Sequence, residues 1–177
     1  MSALTGVLSA LPVDFAAPIL IVQHLDPRHR SLLAEILDRR IPLAVTEARE
    51  GDRLSAGRVY IAPPNKHLLV RASGLLALSD SDRVQYVRPA ADLLFHSLAE
   101  SWRTGAVAVV LSGKGQDGAE GVREIHRQGG TVIVQNEATA DFFGMPGAAI
   151  GTGDVDRVLP LEAIAPALIE LTQRDIQ

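Results

Sequence analysis

The chain has 177 residues, of which 47% are apolar; this is enough for one well-buried core, and no linker or shift in composition indicates a second domain. The formal net charge of −4 excludes a strongly basic surface, so neither nucleic acid nor an anionic membrane is expected as a partner. The chain contains no cysteine, which excludes a thiol nucleophile, a thiolate metal site and disulfides.

No signal-peptide pattern follows Met1, and the apolar runs are far too short to span a bilayer. We therefore expect a soluble, cytoplasmic protein with no membrane insertion. The elements begin with a helix over residues 2–11, which ends before Pro12. The β-branched run at residues 18–23 predicts a buried strand that carries His24 at its carboxyl end.

A second helix is predicted at residues 31–39, and short β segments follow it. These segments lie at residues 43–46, 58–62, 68–70 and 75–78. The last two surround a short polar loop that contains glycine, which is typical of a β-hairpin. We therefore expect a local antiparallel hairpin in the middle of the chain.

A longer helix is predicted from Pro89 to Arg103, with Gly105 as its C-terminal stop. Pro89 suits the first turn of a helix, where a missing N–H costs nothing. Four residues at helical spacing are expected on the buried side of this helix: Leu94, Phe95, Leu98 and Trp102.

The central stretch begins with a continuous apolar run at residues 107–111, which predicts a buried parallel strand. A glycine-rich loop and an amphipathic helix follow the strand. The loop carries Asp117 to the start of the helix, at the carboxyl end of the strand. Ligands bind at this edge of open α/β sheets, so Asp117 is our first candidate for chemistry.

The last third of the chain predicts a strand at residues 131–135, a loop at 136–146 with an exposed aromatic pair, Phe142 and Phe143, and a closing helix at 161–171. Strands that alternate with helices favour the α/β class. We expect a doubly wound, mostly parallel sheet with one local antiparallel hairpin.

His24 and Asp117 are predicted at the same edge of the sheet if their strands are parallel. A carboxylate that binds one imidazole nitrogen fixes the tautomer, so the other nitrogen can act as a general base. A nucleophile would still be needed. No metal site is expected, because the spacing of His24 and His29 does not align two ligands on one helix face. The four other histidines could compete as the base: His29, His67, His96 and His126. The last three are expected to be packed or solvated.

Two other interpretations of the central loop stay open. Residues 113–118 match the G-x-G-x-x-G pattern of dinucleotide sites, with Glu137 as a possible ribose ligand. Against this, Asp117 would place a negative charge where the pyrophosphate must bind. In the simplest alternative the glycines only turn the chain and Asp117 only caps the helix.

Five segments, in a fixed order over nearly the whole chain, carry a family resemblance. They are IVQHLDP (21–27), EAREGDRLSAGRVYIAPPNKH (47–67), RPAADLLFHSLAE (88–100), LSGKGQDGAEG (111–121) and FGMPGAAIGTGDVDRVLPL (143–161). In these segments the chain resembles the CheB-type protein-glutamate methylesterase domain of bacterial chemotaxis. The resemblance implies that residues 1–177 form one methylesterase-like α/β domain.

The resemblance further implies a serine hydrolase without a cofactor. Such an enzyme removes methyl esters from glutamate side chains on the cytoplasmic helices of chemotaxis receptors, and glutamine deamidation is left open. At the matching positions His24 and Asp117 would be two members of a Ser-His-Asp triad. Two loops would line the substrate cleft, formed by Gly113, Lys114, Gly115, Gly144, Met145 and Pro146.

The chain departs from the family pattern at the nucleophile. The family's G-x-S-x-G-G turn and the strand before it have no counterpart, and Ser2 falls inside the first helix. The other serines near family motifs lie in predicted helices or in the cleft loop: Ser31, Ser97, Ser101 and Ser112. We therefore expect an incomplete triad, either because the domain is N-terminally incomplete or because it binds the receptor without turnover. A missing central strand would expose apolar sheet edges, which favours the first explanation.

Two further differences concern specificity and control. Lys114 stands where the family usually has methionine, so a charge is expected beside the site. No receiver domain precedes the catalytic region, so phosphorylation control within this chain is not expected.

Overall fold

The computed structural model describes residues 2–24 and 31–174. The strands are β1 (Ile19–Ile21), β2 (Ala44–Glu47), β3 (Arg58–Ile61), β4 (His67–Val70), β5 (Leu76–Ser79), β6 (Val107–Val110), β7 (Thr131–Gln135) and β8 (Arg157–Leu159). The helices are α1 (Ser2–Ser9), α2 (Leu33–Asp38), α3 (Ala91–Trp102), α4 (Ala119–Arg127), α5 (Gly144–Gly151) and α6 (Leu161–Arg174). Within the described ranges, no helix is long and apolar enough to cross a bilayer.

The parallel strands form two sheets of three strands each, in the orders β1-β3-β2 and β6-β7-β8. In the first sheet Ile21 is paired with Ile61, and in the second Val110 is paired with Val134. Strands β4 and β5 form the antiparallel hairpin. The structure therefore confirms the predicted fold class.

Successive side chains along the strands pack against helices on opposite faces. On one face Val59, Ile61 and Ile133 join a buried cluster with residues of α1, α2 and α6. On the other face Ala108 and Val132 pack in a cluster with residues of α3, α4 and α5. This alternation is the period of two that a β-strand imposes on its side chains. The fold is therefore doubly wound.

The strands β1 and β6 are each paired on one edge only within the described ranges. Ile19 and Ile21 of β1 pack in or against the same apolar cluster as Val107 and Val109 of β6. The two sheets thus share one core, although in the described part of the chain no strand of one sheet pairs with a strand of the other. The carboxyl ends of β1 and β6 lie together, because His24, which follows β1, contacts Asp117, which follows β6.

Helices α3 and α4 pack closely because glycine lies at their contact. A Cβ atom at Gly121 would lie 2.5 Å from the Cβ of Phe95, and one at Gly118 would lie 3.5 Å from the Phe95 ring. Gly118 also has a left-handed φ of 97°, which favours glycine. Glycine therefore brings the start of α4 against the first half of α3.

The sequence-based prediction was wrong in the segment after β7. Residues 144–146 were expected in a loop, but they form the first turn of α5, and β8 follows at residues 157–159. The sequence of α5, GMPGAAIG, has a low intrinsic helix propensity. The burial of Pro146 and the packing of Ala149 against the sheet stabilise this helix instead, and no local pattern shows that.

The predicted end of α3 differs in two details. The α-helix ends at Trp102, and a 3-10 turn at Arg103–Gly105, which begins with a positive φ of 49° at Arg103, follows it. Trp102 was expected on the buried side but is 36% exposed, whereas Leu94 is buried as predicted. In the last turn of α3 the buried position is that of Ala99 and not that of Trp102.

We expect Gly121→Ala to destabilise the protein, because the new methyl group would overlap Phe95. Overpacking of this kind costs roughly 1–3 kcal/mol, more than the gain of about 1 kcal/mol from the better helix former. The matched control is Gly151→Ala, also in a helix, where a Cβ meets none of the described residues within 4 Å. Chemical denaturation should show a lower midpoint for the first variant only. Equal midpoints would contradict the close α3–α4 packing.

Candidate active site

Two residues that are 93 positions apart meet at the carboxyl edge of the sheets. His24 follows β1, Asp117 lies in the loop after β6, and Nε2 of His24 is 2.7 Å from Oδ2 of Asp117. This is the length of a hydrogen bond with an ionised partner. The structure therefore brings together the two residues that the sequence analysis selected.

Asp117 is buried at 3% exposure and accepts further hydrogen bonds from the start of α3. Its Oδ2 accepts the N–H of Ala91 at 2.7 Å, and its Oδ1 accepts the N–H of Asp92 at 3.0 Å. A carboxylate at a helix N-terminus is favoured both by these bonds and by the helix dipole. Asp117 is thus held in place by α3 while it binds His24.

Opposing effects act on the pKa of Asp117. Burial raises the pKa, whereas the hydrogen bonds from His24 and from the N–H groups of Ala91 and Asp92 lower it. The bonds prevail, so the pKa lies below its usual value of 3.8. The carboxylate is therefore ionised at neutral pH and can stabilise a positive charge on the imidazole.

His24 is placed so that its ring faces both the protein and the solvent. The side chain is 29% exposed, whereas that of Asp117 is 4% exposed. Nε2 contacts the carboxylate, and in the described part of the chain Nδ1 has no hydrogen-bond partner. An imidazole that is oriented at one nitrogen and free at the other can act as a general base.

The other histidines are engaged elsewhere or lie away from the pair. Nδ1 of the fully buried His67 accepts the N–H of Ala90 at 3.2 Å, and its Nε2 donates to the carbonyl of Asp82 at 3.0 Å. His126 is 45% exposed, and its ring lies 4.0 Å from a carboxylate oxygen of Asp154. These two histidines therefore have structural or surface roles.

His96 is partly buried on α3. His29, which was considered both as a base and as half of a metal pair, lies outside the described residues.

The two loops predicted to line the cleft are bonded to each other. The carbonyl of Gly113 accepts the N–H of Met145 at 2.8 Å, and the N–H of Gly113 donates to the carbonyl of Phe142 at 3.0 Å. A Cβ at Gly144 would lie 2.9 Å from the backbone of Gly115. The absence of a side chain at residue 144 is therefore what allows this contact.

Lys114 and Phe142 lie together on the surface of these loops. The ammonium of Lys114 is 4.5 Å from the centre of the Phe142 ring, which is the geometry of a cation–π contact. Phe142 is 51% exposed, as predicted, and Lys114 is also exposed. Phe143, its predicted exposed neighbour, instead packs on Gly147. Pro146 is buried within α5.

The structure gives Ser112 a scaffolding position. Its Oγ accepts the N–H of Phe142 at 2.9 Å, and its N–H donates to the Oε1 of the buried Gln135 at 2.8 Å. Ser97 donates to the carbonyl of Leu94 and Ser101 to that of Val70. None of these three hydroxyls is bonded to His24 in the described part of the chain.

Sequence reasoning missed Gln135 and Asp92. Gln135 ends β7 and joins the loop after β6 to Thr139 through its amide. Asp92 lies in the first turn of α3 at 3% exposure and accepts the N–H groups of Gly118 and Gly121. The only signal for Asp92 in the sequence is an acidic residue near a helix start, which is a common feature.

The bonds of Asp92 also decide against the dinucleotide interpretation. A pyrophosphate would need the free N–H groups at the start of α4. Asp92 accepts those of Gly118 at 3.0 Å and of Gly121 at 2.9 Å, and its own charge would repel phosphate. Within the glycine pattern, Gly118 lies against Phe95 of α3 and Gly113 lies against Met145, so both positions serve packing inside the protein.

The sequence and the structure of the chain were compared with those of known proteins, and both comparisons find the same family. The family model described as CheB methylesterase matches residues 1–168. The structure resembles the crystal structure of the Thermotoga maritima CheB methylesterase catalytic domain with a TM-score of 0.93 and 40% identity, over 96% of this chain and 92% of that one.

Two similar curated proteins are both named protein-glutamate methylesterase/protein-glutamine glutaminase. The one from Myxococcus xanthus is 45% identical over 175 residues, 97% of this chain and 51% of the relative. The one from Anaeromyxobacter dehalogenans is 47% identical over 171 residues, 97% of this chain and 50% of the relative. The chain thus spans about half the length of these relatives.

We expect Asp117→Asn to destabilise the protein in a pH-dependent way. The amide group cannot accept the bonds that reach both carboxylate oxygens, which should cost roughly 1–3 kcal/mol near neutral pH. Since the folded pKa of Asp117 is below 3.8, its stabilisation is present above about pH 4 and is lost as the pH falls through the folded value. Denaturation curves from about pH 7 down to about pH 2 should show the two proteins converge.

The control for this experiment is Asp38→Asn. Asp38 is an exposed carboxylate that accepts one backbone N–H, from Val45. The amide oxygen can replace that acceptor, so we expect a change within about 0.5 kcal/mol. If Asp117→Asn lowered the free energy of unfolding by the same amount at every pH, the role of the ionised carboxylate would be contradicted.

Proposed function

The chain belongs to the CheB methylesterase family, and from this premise we propose that it catalyses the hydrolysis of methyl esters on glutamate side chains of proteins. The observation that carries the proposal is the 2.7 Å contact between His24 and the buried, ionised Asp117. This pair supplies the base and the orienting carboxylate that a serine hydrolase needs.

The proposed reaction has two steps. His24 takes the proton of the attacking hydroxyl as its oxygen bonds to the ester carbonyl carbon, and it returns the proton to the methoxide, which leaves as methanol. Water then attacks the acyl-enzyme with His24 again as the base, which yields a glutamate carboxylate and restores the hydroxyl. Asp117 remains ionised throughout and stabilises the imidazolium.

The nucleophile of this reaction must reach the solvent-facing side of His24. We infer that it is a serine on a strand between the inner edges of β1 and β6, supplied by residues outside this chain. Both edges lack a recorded strand partner in the described ranges, their side chains meet in one core, and their carboxyl ends lead to the His24–Asp117 pair. A parallel strand in that position would end beside the imidazole.

We propose that the substrate cleft is formed by the loop at residues 113–115 and the first turn of α5 at residues 144–146. Their backbones are bonded to each other, which gives the site one continuous wall. Lys114, with its ammonium over Phe142, adds an exposed positive charge to that wall. Such a charge would attract a receptor segment with acidic residues.

The proposed partners are the cytoplasmic helices of methylated chemotaxis receptors, and the proposed location is therefore the cytoplasm. Two relatives carry names that include both the methylesterase and the glutaminase activity. The same pair could hydrolyse a glutamine amide, because the leaving ammonia can also take the proton from His24.

The first test of the proposed function uses the complete gene product and a methylated receptor cytoplasmic segment. We expect methanol release, and a loss of roughly 100-fold to 10,000-fold in kcat for His24→Ala and Asp117→Ala. The control is His126→Ala, which removes an exposed histidine on α4. Unchanged release in His24→Ala would refute the proposed roles, and receptor binding without any release would identify a binding domain instead.

The second test concerns Lys114. In Lys114→Met the exposed ammonium is lost, so we expect KM for an acidic receptor segment to rise roughly twofold to fivefold with kcat unchanged, the range of an exposed charge contact. Hydrolysis of a small neutral ester should not change. The control is Lys66→Met, which removes an exposed ammonium that is paired with Asp80. An equal rise in KM in both variants would show a general charge effect and no contact at Lys114.

A further inference from the structure

The carboxylate of Asp92 is bonded on both oxygens although no step of the proposed reaction uses it. Oδ1 accepts the N–H of Gly118 at 3.0 Å and the N–H of Gly121 at 2.9 Å. Oδ2 accepts the side-chain amide of Gln85 at 3.2 Å. With 3% of the residue exposed, these donors replace the solvent around the charge.

Asp92 and Asp117 cap each other's helices. Asp117, which precedes α4, accepts the N–H groups of Ala91 and Asp92 at the start of α3. Asp92, in the first turn of α3, accepts N–H groups at the start of α4. Neither helix is capped by the side chain of its own N-cap residue. The two helix starts are therefore fixed relative to each other by a reciprocal pair of carboxylates.

This arrangement has an electrostatic cost. Burial raises the pKa of Asp92, and so does the neighbouring charge of Asp117, while the N–H groups of Gly121 and Gly118 lower it. Within the described residues, no lysine or arginine forms a salt bridge with Asp92. A neutral N-cap residue within α4 itself would cap that helix without bringing a second buried carboxylate next to Asp117.

The geometry shows what Asp92 holds in place. Gly118 directly follows Asp117 and has a φ of 97°. The bond from the Gly118 N–H to Asp92 therefore sets the direction of the chain at Asp117. The Oδ2 atom of Asp117 is shared between His24 and the N–H of Ala91, both at 2.7 Å, so a small displacement of the loop would break the contact with the imidazole.

We propose that Asp92 is a positioning residue for the His24–Asp117 pair, which acts by anchoring the N-terminus of α4 to that of α3. It does not touch the substrate. The importance of Asp92 for catalysis rests on the proposed function, whereas its effect on the geometry of the pair does not. Misplacement of a catalytic group by about 1 Å can cost roughly 100-fold in rate, so the effect should be measurable.

The geometric test uses NMR on the 177-residue chain. The imidazole N–H that bonds to Asp117 should give a downfield proton resonance, assigned by its loss in Asp117→Ala. We expect Asp92→Ala to lose or broaden this resonance, since both N–H anchors are gone. Asp92→Asn should retain it, because its amide oxygen can still accept from Gly118 and Gly121.

The catalytic test measures methanol release by the same variants of the complete gene product. Asp92→Ala should lower kcat by roughly 10-fold to 100-fold with KM unchanged, and Asp92→Asn should restore kcat to within about threefold of the parent. If Asp92→Ala does not fold, Asp92→Ser replaces it. The serine side chain is too short to keep both N–H bonds, so the same losses are expected.

The matched control is Asp156→Ala. Asp156 also accepts a buried backbone N–H, that of Val132 at 2.7 Å, but at the amino end of β7, the opposite edge of the sheet. The Asp156→Ala substitution should lower Tm without changing the imidazole resonance or kcat. If the Asp92 variants lower Tm but keep both signals, Asp92 is only structural and the proposal is overturned. If the parent releases no methanol, the proposed function fails, while the NMR result still decides the role of Asp92.

Discussion

The structure depends on the buried carboxylate of Asp117, which accepts hydrogen bonds from an imidazole and from a helix start at once. Its donors come from β1 through His24 and from α3 through two backbone N–H groups. Because each donor stabilises the charged form, the carboxylate stays ionised although it is buried. The same hydrogen bonds also orient the side chain of Asp117, so they fix both its charge and its position. The candidate site depends on this one carboxylate.

Two glycine residues allow Asp117 to reach this position. The close approach of α4 to α3 at Gly121, and the left-handed backbone at Gly118, bring Asp117 within reach of the N–H groups of α3. A glycine pattern of this kind resembles an anion site in sequence. In this fold the anion is part of the protein, because two carboxylates occupy the helix starts that a phosphate would need.

The His24–Asp117 pair lies where the two sheets meet, and this position accounts for the orientation and the exposure of the imidazole. The carboxyl ends of β1 and β6 converge there, as expected for ligand sites in open α/β sheets. One nitrogen of the imidazole is held by a buried charge, and the side chain remains partly exposed. The loop at residues 113–115 is joined by backbone hydrogen bonds to Phe142 and to Met145 in the first turn of α5. Orientation on one side and access on the other are what general base catalysis requires.

Local patterns in the sequence were enough to predict the α/β class and the strands at residues 107–110 and 131–135. They were also enough to select His24 and Asp117, because periodicity and chain order reveal which residues follow buried strands. They were not enough for α5, whose sequence is a poor helix former, or for the exposure of Trp102. They also could not reveal that Asp92 caps α4 or that Gln135 supports Ser112, since these bonds join residues 23 to 29 positions apart. The sequence by itself determined which groups lie at the edge of the sheet. Only the tertiary structure decided which of them share a proton or a cap, because a hydrogen bond depends on distances below about 3.2 Å that no spacing along the chain specifies.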